Sequence, residues 1–146
     1  MTIYTIGFTK KSARDFFESM KAHNMAVVLD IRLNNSSQLA GFSKGGDLSY
    51  FLPEISGCAY HYEPLFAPTK ELMDGFKAKK LEKEQFEAAY RQLMRERGAL
   101  AYYENAYAKA GNVCLLCSED TPALCHRRIL AEMIAENMPQ ATIQHL

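Results

Sequence analysis

The stretch AVVLDI, residues 26–31, cannot lie at a surface, because it is apolar up to Asp30 without the alternation that a half-wet strand shows. A run of this kind suits a strand covered on both faces, the position of an inner strand in a parallel sheet flanked by helices. Val113 to Cys117, VCLLC, is the most apolar strand candidate in the chain. Helical patterns separate these runs. Ser12, with Asp15 three residues on, opens a helix whose Ala13, Phe16, Phe17 and Met20 share one face. Asp47 is placed to cap a second helix carrying Leu48, Phe51, Leu52 and Ile55, bent by Pro53 and stopped by Gly57. Thr69 caps a third with Leu72, Met73 and Phe76. Residues 82–97 carry Phe86, Ala89, Tyr90, Leu93 and Met94 on one stripe, and 99–110 is read as helical too. Ile129, Leu130, Met133 and Ile134 mark the last helix. Strands are expected at 2–8, ending in a turn at Gly7, at 58–62 and at the carboxyl end, TIQHL. The alternation predicts a single α/β domain over 1–146, with a mostly parallel sheet of about five strands, helices on both faces, and a helical insert at about 69–110.

With 146 residues, 48% of them apolar, the chain can build a core without staples or metals. Lysine plus arginine, 17, equals aspartate plus glutamate, 17, so no basic footprint marks it as a nucleic-acid binder. The helical insert 69–109 mixes both signs in the manner of a solvated face. No apolar stretch approaches the roughly twenty residues of a membrane span, and the first residues lack the order of a secretory signal. A cytoplasmic chain is expected, its four cysteines reduced thiols. Neither a cofactor nor an oligomeric state is written in the pattern.

In open parallel sheets ligands bind beyond the carboxyl ends of the strands. Three clusters fall there: Gly7 to Thr9, Asp30 with Arg32, and the 117–128 stretch, CSEDTPALCHRR. Cys114 and Cys117, three apart on a strand, point to opposite faces, and Cys125 and His126 diverge if both are helical, so no metal site is expected. Thr121 and Pro122 fit an N-cap and first helical position, which would set Cys125, His126 and Arg127 near a helix start, where a thiolate or a bound anion is favoured. The alternative is structural: Cys125 a small buried hydrophobe, His126 satisfied, Arg127 paired with Asp30 or Glu119. Asp30 and Arg32 equally fit a mutual salt bridge. The tyrosines Tyr60, Tyr62, Tyr90, Tyr102, Tyr103 and Tyr107 read as core and rim, and His61 among them is a candidate base.

The segments TIGFT (5–9), LDIR (29–32), SQLAGF (37–42), FAPTKELMD (66–74) and LLCSEDTPALCHRR (115–128) resemble, in order along nearly the whole chain, the family of domain of unknown function 488. The resemblance implies a small soluble α/β domain and draws attention to Gly7, Asp30, Arg32, Cys117, Glu119, Cys125, His126 and Arg127. Many relatives carry histidine after TIG, where this chain has Phe8, so no general base is carried over there. A fainter similarity to rhodanese-like sulfurtransferases puts Cys117 at the reactive position. The arginine of their C-x4-R loop, or of the C-x5-R loop of cysteine phosphatases, is missing; the next arginine is Arg127.

These readings converge on a small anionic ligand, a nucleotide or phosphorylated metabolite. Arg32 and Arg127 would hold it beside Gly7 and Thr9. Cys117 or Cys125 would supply a thiol, and Asp30, Glu119 or His126 would orient an arginine or move a proton. The competing expectation is a non-catalytic domain in which the same groups form an ionic network.

Overall fold

In the computed structural model, which describes residues 1–36, 41–119 and 122–146, the two apolar runs lie side by side inside one parallel sheet. Its strands are β1 (Thr2–Gly7), β2 (Val27–Asp30), β3 (Ala59–Tyr62), β4 (Val113–Cys117) and β5 (Thr142–His145), in the order β3-β2-β4-β1-β5. Every residue of β2 and β4 is buried, whereas the edge strands β3 and β5 are mostly exposed. That difference is why the inner pair was the most legible part of the sequence.

Six helices occur among the described residues: α1 (Ala13–Ala22), α2 (Gly45–Phe51), α3 (Lys70–Lys77), α4 (Lys83–Glu96), α5 (Ala99–Tyr107) and α6 (His126–Asn137). They cover both faces. Val28, Cys114 and Leu116 pack with Phe16, Phe17 and Met20 of α1 and Leu48 of α2. Leu29, Leu115 and Cys117 face the other way, onto Tyr90 and Met94 of α4, Tyr103 of α5, and Ile129, Leu130 and Met133 of α6. Cys114 and Cys117 therefore do lie in opposite layers, as the two-residue period of a strand requires.

The caps at Ser12 and Thr69 form as expected, each side-chain oxygen accepting an N–H three residues on. Glu82 and Gln85 make a reciprocal capping box at the head of α4. Two starts differ. Helix α2 begins at Gly45, not after Asp47, because Gly45 N–H donates to Asn35 O at 2.7 Å and a Cβ there would lie 2.7 Å from the Tyr60 hydroxyl. Asp47 sits in its first turn. Pro53, lacking an N–H, falls in a π-helical turn, Leu52–Ser56, which Gly57 closes at φ +67°. Helix α6 begins at His126: Pro122–Leu124 form a 3-10 turn and Cys125 is the N-cap. The proposed cap Thr121, and residues 37–40 of the SQLAGF segment, lie outside the described residues.

Register brings the polar strand ends together. Gly7 of β1 lies beside Cys117 of β4, and Leu116 beside Asp30 of β2.

Candidate functional site

Asp30 ends β2 fully buried, and its carboxylate is met from three sides. Arg32 folds back on it, donating from Nε to Oδ1 at 2.8 Å and from Nη2 to Oδ2 at 2.7 Å, with its backbone N–H adding a third contact at 3.2 Å. The Tyr60 hydroxyl donates to Oδ2 at 2.5 Å and accepts from Asn35 Nδ2 at 3.2 Å. Burial first, then the hydrogen bond and charge of Asp30, raise the Tyr60 pKa, so this phenol stays protonated. The Phe8 ring lies 5.2 Å from the Arg32 guanidinium carbon. Arg32 is only 3% exposed, yet its Nη1 has no hydrogen-bond partner among the described residues. A buried guanidinium nitrogen without an acceptor carries a desolvation cost that a ligand oxygen would remove.

Cys117 closes β4 and Cys125 caps α6, and their sulfurs are joined in a disulfide, while Cys58 and Cys114 are free. This corrects the expectation of four thiols: the 3-10 turn returns the chain so that the helix cap faces the strand end. It also corrects the expected divergence of Cys125 and His126. Cys125 is extended, φ −123° and ψ 140°, so its side chain is not set by the helical period and turns toward the same space as its neighbour. One ligand-type atom each from Cys117, Cys125 and His126 lies within 4.8 Å of the others. His126 Nε2 is 2.7 Å from the Ile31 carbonyl, which can only accept, so the proton sits on Nε2 and Nδ1 presents a lone pair 4.0 Å from Cys125 Sγ. Burial lowers the His126 pKa to about 4, and the ring is neutral at pH 7.

Arg127 has no solvent exposure. Its Nε donates to Thr5 Oγ1 at 3.2 Å, and its Nη1 to the Glu119 carbonyl and to Cys117 Sγ at 3.6 Å. Gly7 makes room for this: a Cβ there would overlap the Glu119 carbonyl and lie 2.8 Å from Arg127 Nη1. Gly7→Ala is therefore expected to destabilise by about 3 kcal/mol or more, since backbone and not a flexible chain end stands in the way; a urea unfolding midpoint would show it. Thr9 is occupied in the same loop, its N–H and hydroxyl both donating to Ser118 O at 3.2 and 2.7 Å.

A cavity of about 270 Å³ opens over this arrangement, lined by Arg32, Cys117, Glu119, Cys125 and His126, with Lys77 of α3 at its side and Met73, Phe76 and Phe86 as an apolar wall. Five of the residues singled out in the sequence thus share one hollow. Asp30 lies behind Arg32, and Arg127, Gly7 and Thr9 are not among the lining groups. Tyr60 and the α3 wall were not foreseen as parts of a site. Tyr60 could have been found as a diagonal neighbour of Asp30 on the same face, because β3 pairs with β2 so that Tyr60 lies beside Val28 and Tyr62 beside Asp30. His61 bonds to the Tyr107 hydroxyl at 2.9 Å, and Tyr102 and Tyr107 both donate to Glu63. Arg91 and Arg128 are tied to Glu87, Glu132 and Glu136 in a network between α4 and α6. No helix among the described residues is long and apolar enough to cross a membrane.

Compared with known families, residues 12–134 match the model described as domain of unknown function DUF488. No curated protein and no solved structure matches.

Proposed function

The chain belongs to the DUF488 family, and from that premise we propose that its cavity takes a small anionic ligand, a nucleotide or phosphorylated metabolite, above a cysteine pair used in thiol-dependent catalysis. One observation carries the reading: Arg32, whose buried Nη1 has no acceptor among the described residues, lines the same hollow as Cys117 and Cys125. Asp30, itself held by the Tyr60 hydroxyl, takes the guanidinium by its Nε–Nη2 edge, which fixes the direction of the remaining N–H groups. Lys77 adds charge beside the ligand. In a reducing cytoplasm the pair would be thiols. Cys117 is then the better nucleophile, because the Arg127 guanidinium donates to its sulfur and favours the thiolate. His126, neutral and weakly basic, is a poor general base near pH 7. In this reading residues 1–146 act as one domain, and the helices between β3 and β4 supply the cavity's apolar wall.

Titration calorimetry with pyrophosphate tests the anion site. Arg32→Lys keeps a cation for Asp30 but lacks the second arm, so binding should fall by about tenfold or more; equal affinities in wild type and variant would remove Arg32 from the role. The thiol is tested separately, by reducing the protein and mapping iodoacetamide adducts at pH 8. Cys117 or Cys125 should react first. Cys58, its pKa raised to about 11 by burial, and Cys114, raised further, should lag. Equal labelling of all four would leave a binding domain without thiol catalysis, the reading favoured by the full engagement of Arg127.

A further inference from the structure

We infer that Cys117, Cys125 and the Nδ1 of His126, once the two sulfurs are reduced, form a three-ligand site for a borderline-soft divalent cation of the Zn²⁺ class, with its fourth position open to the cavity. The donor set is the first argument. Two thiolates and an imidazole suit such an ion, and three protein ligands with one free position is the arrangement of a reactive rather than a structural centre. Spacing is the second. A tetrahedral ion with sulfur at about 2.3 Å and nitrogen at about 2.0 Å sets its ligands roughly 3.5–3.8 Å apart, and the three atoms here already lie within 4.8 Å of one another. The Cα atoms of Cys117 and Cys125 stand 7.4 Å apart. A disulfide ordinarily spans roughly 4.4–6.8 Å between Cα atoms, whereas two sulfurs that meet through an ion between them are served by the wider span.

A histidine that binds a metal commonly donates its other ring N–H to a carbonyl or carboxylate, which fixes tautomer and ring direction. His126 does this, with Nε2 on the Ile31 carbonyl and Nδ1 turned to Cys125. No cation is needed to explain a satisfied core histidine, but such a residue does not require its free lone pair to face the Cys125 sulfur, to which Cys117 is joined. Charge agrees as well: a dipositive ion with two thiolates is a neutral unit, less costly to bury at 2–4% exposure than a thiolate pair. Cys58 and Cys114 face the opposite layer and take no part.

A phosphine reduces the disulfide, taking up the oxygen of one water as its oxide and leaving two S–H groups; the entering cation then displaces both protons to solvent. The inference concerns the metal alone, and it holds or fails whether or not an anion binds on Arg32. Reduced full-length protein, freed of phosphine and kept anaerobic, would be titrated with Co²⁺ in a non-coordinating buffer. The expected result is one equivalent bound, with the visible bands of a four-coordinate ion and thiolate charge transfer in the near ultraviolet, both removed by added Zn²⁺. Cys58→Ser and Cys114→Ser should keep the bands, and Cys117→Ser or Cys125→Ser should weaken binding at least tenfold. Should those last variants fail to fold, wild-type protein carries the test alone, since reoxidation of the pair must abolish the bands. Absence of bands in reduced protein, or bands indifferent to reoxidation, would overturn the site.

Discussion

Asp30→Ala is expected to lower stability by about 3–5 kcal/mol, the range found when one member of a buried ion pair is removed, which for a chain of this length is a fall of roughly 10 °C in Tm. The direction follows from what would be left. Arg32, 3% exposed, would keep a full charge whose Nε and Nη2 have lost their acceptors, and Tyr60 would lose the partner of its 2.5 Å bond. Asp30→Asn keeps the shape and one acceptor oxygen, so it should fall between wild type and alanine. The informative companion is the double variant Asp30→Ala, Arg32→Met. Because a buried pair repays its desolvation only in part, removing both charges should recover much of the loss. Urea unfolding of Asp30→Ala, of Arg32→Met and of the double variant measures this. A loss below about 1 kcal/mol for Asp30→Ala would mean that solvent reaches the pair, contrary to its burial.

What could be read beforehand divides along the range of the interactions. β2 and β4 were legible because burial on both faces writes an unbroken apolar run, and α1, α3 and α4 because their caps and faces are local patterns. The site was legible only as a list of residues. That Arg32 turns back onto Asp30 was one of two readings of a pair two positions apart, and only the contact itself decides. The meeting of Cys125 with His126 depended on an extended cap after a 3-10 turn, where a continuous helix was assumed. Met73, Phe76 and Phe86 look like any helical core stripe, and nothing in their spacing marks them as one wall of a cavity. Gly45 begins α2 early through an approach to Asn35 and Tyr60, residues 10 and 15 positions away.

Arg127→Ala should be as damaging as the loss of Asp30, about 3–5 kcal/mol, for a different reason. Arg127 is the bulkiest of the fully buried side chains and has no exposure. Truncation leaves a large void and strips the Glu119 carbonyl and Thr5 hydroxyl of a donor, although Thr5 retains His145 at 2.6 Å. Stability alone does not separate a structural anchor from a group that tunes a thiol, so Arg127→Lys is the sharper variant. An ammonium keeps the charge but cannot hold Thr5, Glu119 and Cys117 from one planar fork. With the pair reduced, a guanidinium that favours the Cys117 thiolate should make alkylation at Cys117 about tenfold faster in wild type than in Arg127→Lys, with Cys58 unchanged. If both proteins alkylate at the same rate while the lysine variant unfolds earlier in urea, Arg127 serves only to fasten the strand end to α6, and the reactivity of Cys117 must come from the helix terminus that faces it.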